Sequence, residues 1–195
     1  AGGRATNPLT ALSTPGIGPA LLVCAAFMTA FYGTYTFVGT HVQHGLGRSA
    51  AEAGLIALAY GIGFGLTVPL DRLVDRWGAQ RAAPIVFFGI LCSYIAIAAF
   101  GGSFFTLLVI CLVWGMVNHV GMTLIVGRLS ALDPSRRGAI LGLYSAVTYL
   151  SVTLAVTAFR PIFEGPGFGA TALASSICLV PAVVQAIRRR RVSPR

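Results

Sequence analysis

The sequence predicts an all-α, polytopic membrane protein with six transmembrane helices, and three observations carry that expectation. First, 56% of the 195 residues are hydrophobic, 10% are charged and the mean hydropathy is +0.82; soluble domains carry charge on about a quarter of their residues. Second, apolar windows fall at about residues 16–39, 50–70, 84–102, 104–127, 138–159 and 168–187. Each is close to the ~20 residues that cross a hydrocarbon core of about 30 Å as a helix, and helix is required because lipid cannot satisfy bare backbone groups. Third, all 14 basic residues are Arg, and only Arg48 and Arg160 fall on one side of the six-span map. Basic residues mark the cytoplasmic face. Both termini are therefore expected in the cytoplasm, in a plasma membrane of the bacterial inner-membrane kind.

The formal net charge of +9 follows from that asymmetry. The run Arg188–Arg191, in a basic cytoplasmic tail at residues 188–195, lies beside a span and reads as a contact with anionic lipid headgroups, not with nucleic acid. Residues 1–15, "AGGRATNPLTALSTP", have neither an initiator Met nor the charged, apolar and small-residue regions of a signal peptide. They read as the end of a cytoplasmic linker, so the chain is expected to be a piece of a longer protein.

The first span carries "TAFYGTYTF", in which Thr29, Tyr32 and Thr36 share a helical face with Tyr35 beside them. Aromatic rings with polar tips suit an amphipathic ligand, although a belt at the membrane interface uses the same residues. Tyr32 and Tyr35 are candidate substrate-binding residues. His41 and His44 follow in an outside loop; their spacing could admit a metal, but two ligands without a third read as simply solvated. In the second span Ala57, Gly61 and Gly65 recur at helical spacing, a stripe that lets membrane helices approach closely. Tyr60 is a weaker site candidate.

Five charges then crowd into "PLDRLVDRWGAQRAAP", Pro69 to Pro84, which reads as a tight cytoplasmic turn. The third and fourth spans meet at Gly101–Ser103, too short a link for anything but an antiparallel hairpin. The fourth carries "WGMVNHVGMT", with Asn118 and His119 about nine residues from Arg128 and so near mid-membrane at about 1.5 Å per residue. Polar and ionisable groups at that depth mark functional sites, so Asn118 and His119 are candidate substrate-binding residues. The fifth span has Gly142, Ser145 and Ala146 near its inside end and contributes Tyr149 as a further candidate substrate-binding residue.

All five acids, Glu52, Asp71, Asp75, Asp133 and Glu164, map to helix ends or loops, which leaves no carboxylate in mid-membrane. A proton carrier would then be His119, whose side-chain type titrates near neutrality, or a residue outside this chain. The cysteines Cys24, Cys92, Cys111 and Cys178 all lie in apolar spans with no CxxC pair, so neither a disulfide framework nor a zinc site is indicated.

"DRLVDRWGAQR" resembles the loop signature of the major facilitator superfamily, in which Gly is followed by Asp-Arg, Gly and Arg. Asp75, Arg76, Gly78 and Arg81 match it, and Asp71 replaces its opening Gly. "SALDPSRRGAILGLYSAVTYLSVTLA", Ser130 to Ala155, is similar to the tenth-to-eleventh helix region of drug:proton antiporter and sugar-efflux-like members. The resemblance implies one half of a twelve-helix bundle, with an N-terminal six-helix half as partner. It also implies a secondary transporter of small molecules, efflux in direction and proton-coupled, working by alternating access without a cofactor. The first and fourth spans would line its cavity, and Asp75, Arg76, Gly78 and Arg81 would form a conformational latch whose ion pairs make and break as helices rock.

Two other classes compete. Asp71 and Asp75 form a D-x-x-x-D pair that an intramembrane, prenyltransferase-like enzyme would use to bind a metal diphosphate. Divalent cations want more oxygens than this pair supplies, and neither H-E-x-x-H nor G-x-S-x-G occurs, so no enzyme is expected. A membrane scaffold subunit is the remaining class.

Overall fold

A computed structural model describes residues 8–192; the side chains of Pro8, Leu9, Leu70, Leu73, Asp75, Arg191 and Val192 lie outside the described set. Every regular element among the described residues is helical. The helices are α1 (Ile17–Thr40), α2 (Ala50–Leu66), α3 (Asp71–Trp77), α4 (Ala79–Phe100), α5 (Phe104–Leu132), α6 (Arg137–Glu164) and α7 (Phe168–Val192). Five of them are long and apolar enough to cross a membrane, while α2 is a shorter apolar helix of 17 residues.

Local chemistry sets the boundaries. At the start of α2, Ser49 Oγ accepts from the Glu52 amide at 3.2 Å and the Ser49 amide donates to Glu52 Oε2 at 2.9 Å, a reciprocal cap that satisfies two otherwise bare donors. Thr67 ends α2, and a 3-10 turn containing Pro69 leads into α3. Gly78 then separates α3 from α4 with φ +88°, a conformation that costs a glycine little and other residues much. The predicted turn at Pro69–Pro84 is thus mostly helix: charge in this chain marks a helix that continues past its apolar run. At the end of α5, Asp133 Oδ1 accepts from the Ser135 amide at 2.9 Å and its hydroxyl at 2.6 Å.

Packing follows the antiparallel hairpin of α4 and α5 and builds outward. α2 lies against α5, α1 against α6 and α7, and α4 against both α5 and α7. The core seats Trp114, Tyr94, Ile90 and Leu107 at the centre, and large apolar residues such as Phe105, Leu150 and Ile177 point outward, as lipid-facing side chains do.

The small-residue contact predicted for α2 is real, but it uses different residues. A Cβ on Gly63 would collide with the Leu112 carbonyl, and one on Gly115 would collide with the Tyr60 carbonyl. Gly61 and Gly65 have open space instead, and Ala57, Gly61 and Gly65 are all exposed. Close approach of α2 to α5 therefore rests on one glycine from each helix, a packing mode that lets dispersion contacts act between backbones. Gly142 also faces open space.

Candidate functional site

A cavity of about 420 Å³ opens between α1, α2, α5 and α6. Tyr32 and Tyr35 from α1, Tyr60 from α2, Asn118 from α5 and Tyr144 from α6 line it together with Phe31. Phe31, Tyr32, Tyr35 and Tyr60 form one continuous cluster with Trp114. Phe31 stacks on Tyr35 with centroids 4.9 Å apart, Tyr35 lies 5.0 Å from Tyr60, and Tyr60 meets Trp114 edge-on at 5.2 Å. Such rings present broad apolar faces, and their hydroxyls mark the few places where a ligand can be oriented.

Asn118 supplies the cavity's amide. Its Nδ2 donates to the Tyr60 hydroxyl oxygen at 3.0 Å, while its Oδ1 is shielded from solvent and has no partner. An acceptor held dry and unpaired is costly unless something donates to it. Asn118 is thus fixed through one end of its amide and carries an unpaired acceptor at the other.

His119 points elsewhere. Consecutive residues on a helix diverge by about 100°, and the imidazole packs edge-on against Phe64 with centroids 4.7 Å apart. Its Nε2 lies 3.1 Å from Asp71 Oδ1 and 3.2 Å from Oδ2, and Nδ1 is buried without a partner. Asp71 is the first residue of α3, a helix end as the sequence predicts, and its carboxylate meets the buried histidine. His119 itself stays outside the lining of the aromatic cavity, behind the α2–α5 contact.

Tyr149 does not join the site: it is 73% exposed on the outer face of α6. His41 is not simply solvated either, since its Nε2 lies 3.0 Å from the Gly101 carbonyl and its ring stacks on Phe168 at 4.3 Å. Among the described residues no group of three His, Cys, Asp or Glu side chains could hold a metal. The Asp75 carboxylate falls outside the described residues. Its companions Arg76 and Arg81 are exposed, with no ion pair among the described residues. Counted strictly, Gln80 occupies the last Arg position of the loop signature, and Arg81 lies one residue beyond.

Sequence reasoning passed over Phe31, Phe64 and Trp114. Trp114 stands one helical turn before Asn118, and Phe31 and Phe64 sit one turn from Tyr35 and Tyr60. Helical spacing from the chosen residues would have found all three.

The apolar helices, five of them long enough to cross a membrane, define an integral membrane protein. The Major Facilitator Superfamily profile matches residues 2–156, and the chain belongs to that family. Among curated proteins, "Uncharacterized MFS-type transporter YwfA" of Bacillus subtilis is 29% identical over 84% of this chain and 40% of its own length. "Transcription regulatory protein OpdE" of Pseudomonas aeruginosa is 27% identical over 98% of this chain and 49% of its own length. The chain therefore spans no more than about half the length of these relatives.

Proposed function

We propose that this chain forms the C-terminal six-helix half of a secondary active transporter that exports small amphipathic molecules by alternating access. Its partner half completes the substrate path, and the loop around Asp75, Arg76, Gly78 and Arg81 acts as the conformational latch. Both termini lie in the cytoplasm, as the arginine distribution implies, and the membrane is the bacterial inner membrane. The observation that carries the reading is a cavity walled largely by aromatic rings, with Asn118 and its unpaired Oδ1 at the lining. A site of that kind selects a ligand with an apolar body and one donor. Tyr32, Tyr35 and Asn118 are its binding residues. Family membership favours a transporter over an enzyme, and Asp71, engaged with His119, is poorly placed to share a metal diphosphate with Asp75.

The His119–Asp71 pair is the proton-coupling element of the same reading. A neutral imidazole and a carboxylate share a hydrogen bond, whereas an imidazolium makes it an ion pair. Adding or removing one proton therefore changes how tightly α3 is held to α5, the kind of bias that a two-state element needs.

The test uses Trp114 as a built-in reporter. The chain has 2 Trp residues, and Trp77→Phe leaves Trp114 alone in it. In proteoliposomes of the full-length protein with any further Trp outside this chain replaced, amphipathic aromatic compounds carrying one donor should change Trp114 fluorescence saturably. The same compounds should move when a pH gradient is imposed. Compounds that move on the gradient yet leave Trp114 unaffected would place binding outside this cavity and sink the proposal.

A further inference from the structure

A second cavity, of about 410 Å³, lies at the end of the bundle where α1 begins and α7 ends, between α1, α4, α5 and α7. Val23, Phe87, Leu124 and Ala182 give it an apolar wall, and Arg128 and Arg189 supply two cations. Arg128 Nη1 donates to Gln185 Oε1, but its Nε is buried without a partner. Arg189 is near enough for its charge to act on that of Arg128. Two like charges facing one concavity repel, and the repulsion grows as water is excluded.

The first turn of α4 borders the same space through Ala79 and Gln80. Its N-cap, Gly78, offers no side-chain acceptor, and the turn contains no acid. Bare amides at a helix start carry partial positive charge that a nearby anion relieves. Two guanidinium groups and one uncapped helix start thus converge, and among the described residues no carboxylate lines the cavity. Among the described residues, an anion is what the arrangement lacks. The apolar wall adds a second requirement, because a small hydrated ion would leave its accessible part, Val74, Ala83 and Leu132, facing water.

We propose that this cavity binds an anionic amphiphile, a phosphate-bearing lipid of the adjoining leaflet, with its headgroup between Arg128, Arg189 and the start of α4. The site differs from diffuse attraction between a basic tail and a charged surface because it needs Arg128, a residue of α5, and uses one arginine of the tail in preference to its neighbours. Guanidinium forks suit phosphate oxygens geometrically as well as by charge.

The experiment reconstitutes the full-length protein in phosphatidylcholine nanodiscs with rising phosphatidylglycerol, reading the unfolding midpoint and, by native mass spectrometry, the lipids retained. Phosphatidylglycerol should raise the midpoint saturably and be retained in preference to phosphatidylcholine. Arg128→Gln and Arg189→Gln should each weaken this effect roughly tenfold, the loss of about 1.4 kcal/mol. Arg190→Gln, outside the cavity lining, should leave it unchanged. Arg189 is exposed, so its variant decides the matter even if Arg128→Gln does not fold. Inorganic phosphate is the second arm: if it alone protects the protein through the same two arginines, the anion site stands and its source is a free ion. Equal losses in Arg190→Gln, or none in the two cavity variants, would overturn the proposal.

Discussion

Asp71 and His119 meet across the α3–α5 contact, with Asp71 Oδ1 3.1 Å from His119 Nε2 and the histidine 8% exposed. They are 48 residues apart in the chain and come together because α3 continues the path of α2 after a single 3-10 turn. If the pair couples transport to protons, His119→Gln should abolish gradient-driven flux while substrate binding survives, since glutamine keeps hydrogen-bonding capacity and cannot titrate. Asp71→Asn should give the same defect, and the double variant should be no worse than either alone, as members of one network behave. Flux and binding assays on the reconstituted full-length protein check this; gradient-driven flux at the wild-type rate in His119→Gln would reduce the pair to a structural contact.

Asn118 and Tyr149 make a contrasting pair for the cavity. Asn118→Ala removes the unpaired acceptor and should weaken substrate binding by about 1–3 kcal/mol, the scale of a buried hydrogen-bond partner lost. Tyr149→Ala, at an outward-facing position, should bind normally. Equilibrium titration of Trp114 fluorescence separates the two; equal effects would mean that the ligand lies elsewhere.

The glycine contact makes a sharper forecast about stability. Gly63→Ala and Gly115→Ala each drive a methyl into a backbone carbonyl and should destabilise the protein by about 1–3 kcal/mol, the usual cost of overpacking. Gly61→Ala and Gly65→Ala meet open space and should be close to neutral. Unfolding midpoints in one detergent decide it, and the ranking must invert if the stripe at Ala57, Gly61 and Gly65 carries the packing.

The turn between α5 and α6 gives a pH-dependent signature. The Ser135 hydroxyl holds the Asp133 carboxyl below its ordinary range, with the Ser135 amide and Arg136 adding to that pull. A carboxyl depressed in this way contributes fully above its ordinary range and loses that contribution as pH falls through its own, lower one. Hydrogen exchange at Ser135 to Arg137, corrected for intrinsic rates, should therefore be flat near neutrality and rise only in acid. Asp133→Asn, with no charge to lose, should remove the pH dependence; a variant that retains it would assign the effect to another group.

The spans were legible because a bilayer imposes one rule on every helix that crosses it, so apolar length alone located α1, α4, α5, α6 and α7. What the sequence hid was partnership. Asp71 reads as a boundary, since a charge after an apolar run usually ends it, and no hydropathy window registers a helix that resumes after Pro69. Gly63 breaks the i, i+4 pattern of its neighbours, yet the face that meets α5 depends on where α5 lies. Tyr32 and Tyr149 are the same residue type in similar surroundings, and only the positions of α2 and α5 separate a cavity wall from an exposed ring. The aromatic cluster was half visible: Tyr35 and Tyr60 stood out for their hydroxyls, while Phe31 and Trp114 blended into apolar background.

The pairing of Gly63 with Gly115 also bears on how the chain is made. α2, at 17 residues, is a weak candidate to hold a bilayer position alone, and the helix that grips it leaves the ribosome roughly 50 residues later, during N-to-C synthesis. Until α5 inserts, α2 depends on the translocon or on passing lipid. A lesion at either glycine then acts during biogenesis: the nascent protein presents an unclaimed short helix to membrane proteases. Such variants belong among those lost before they reach a steady state, and low abundance rather than slow turnover is their expected mark.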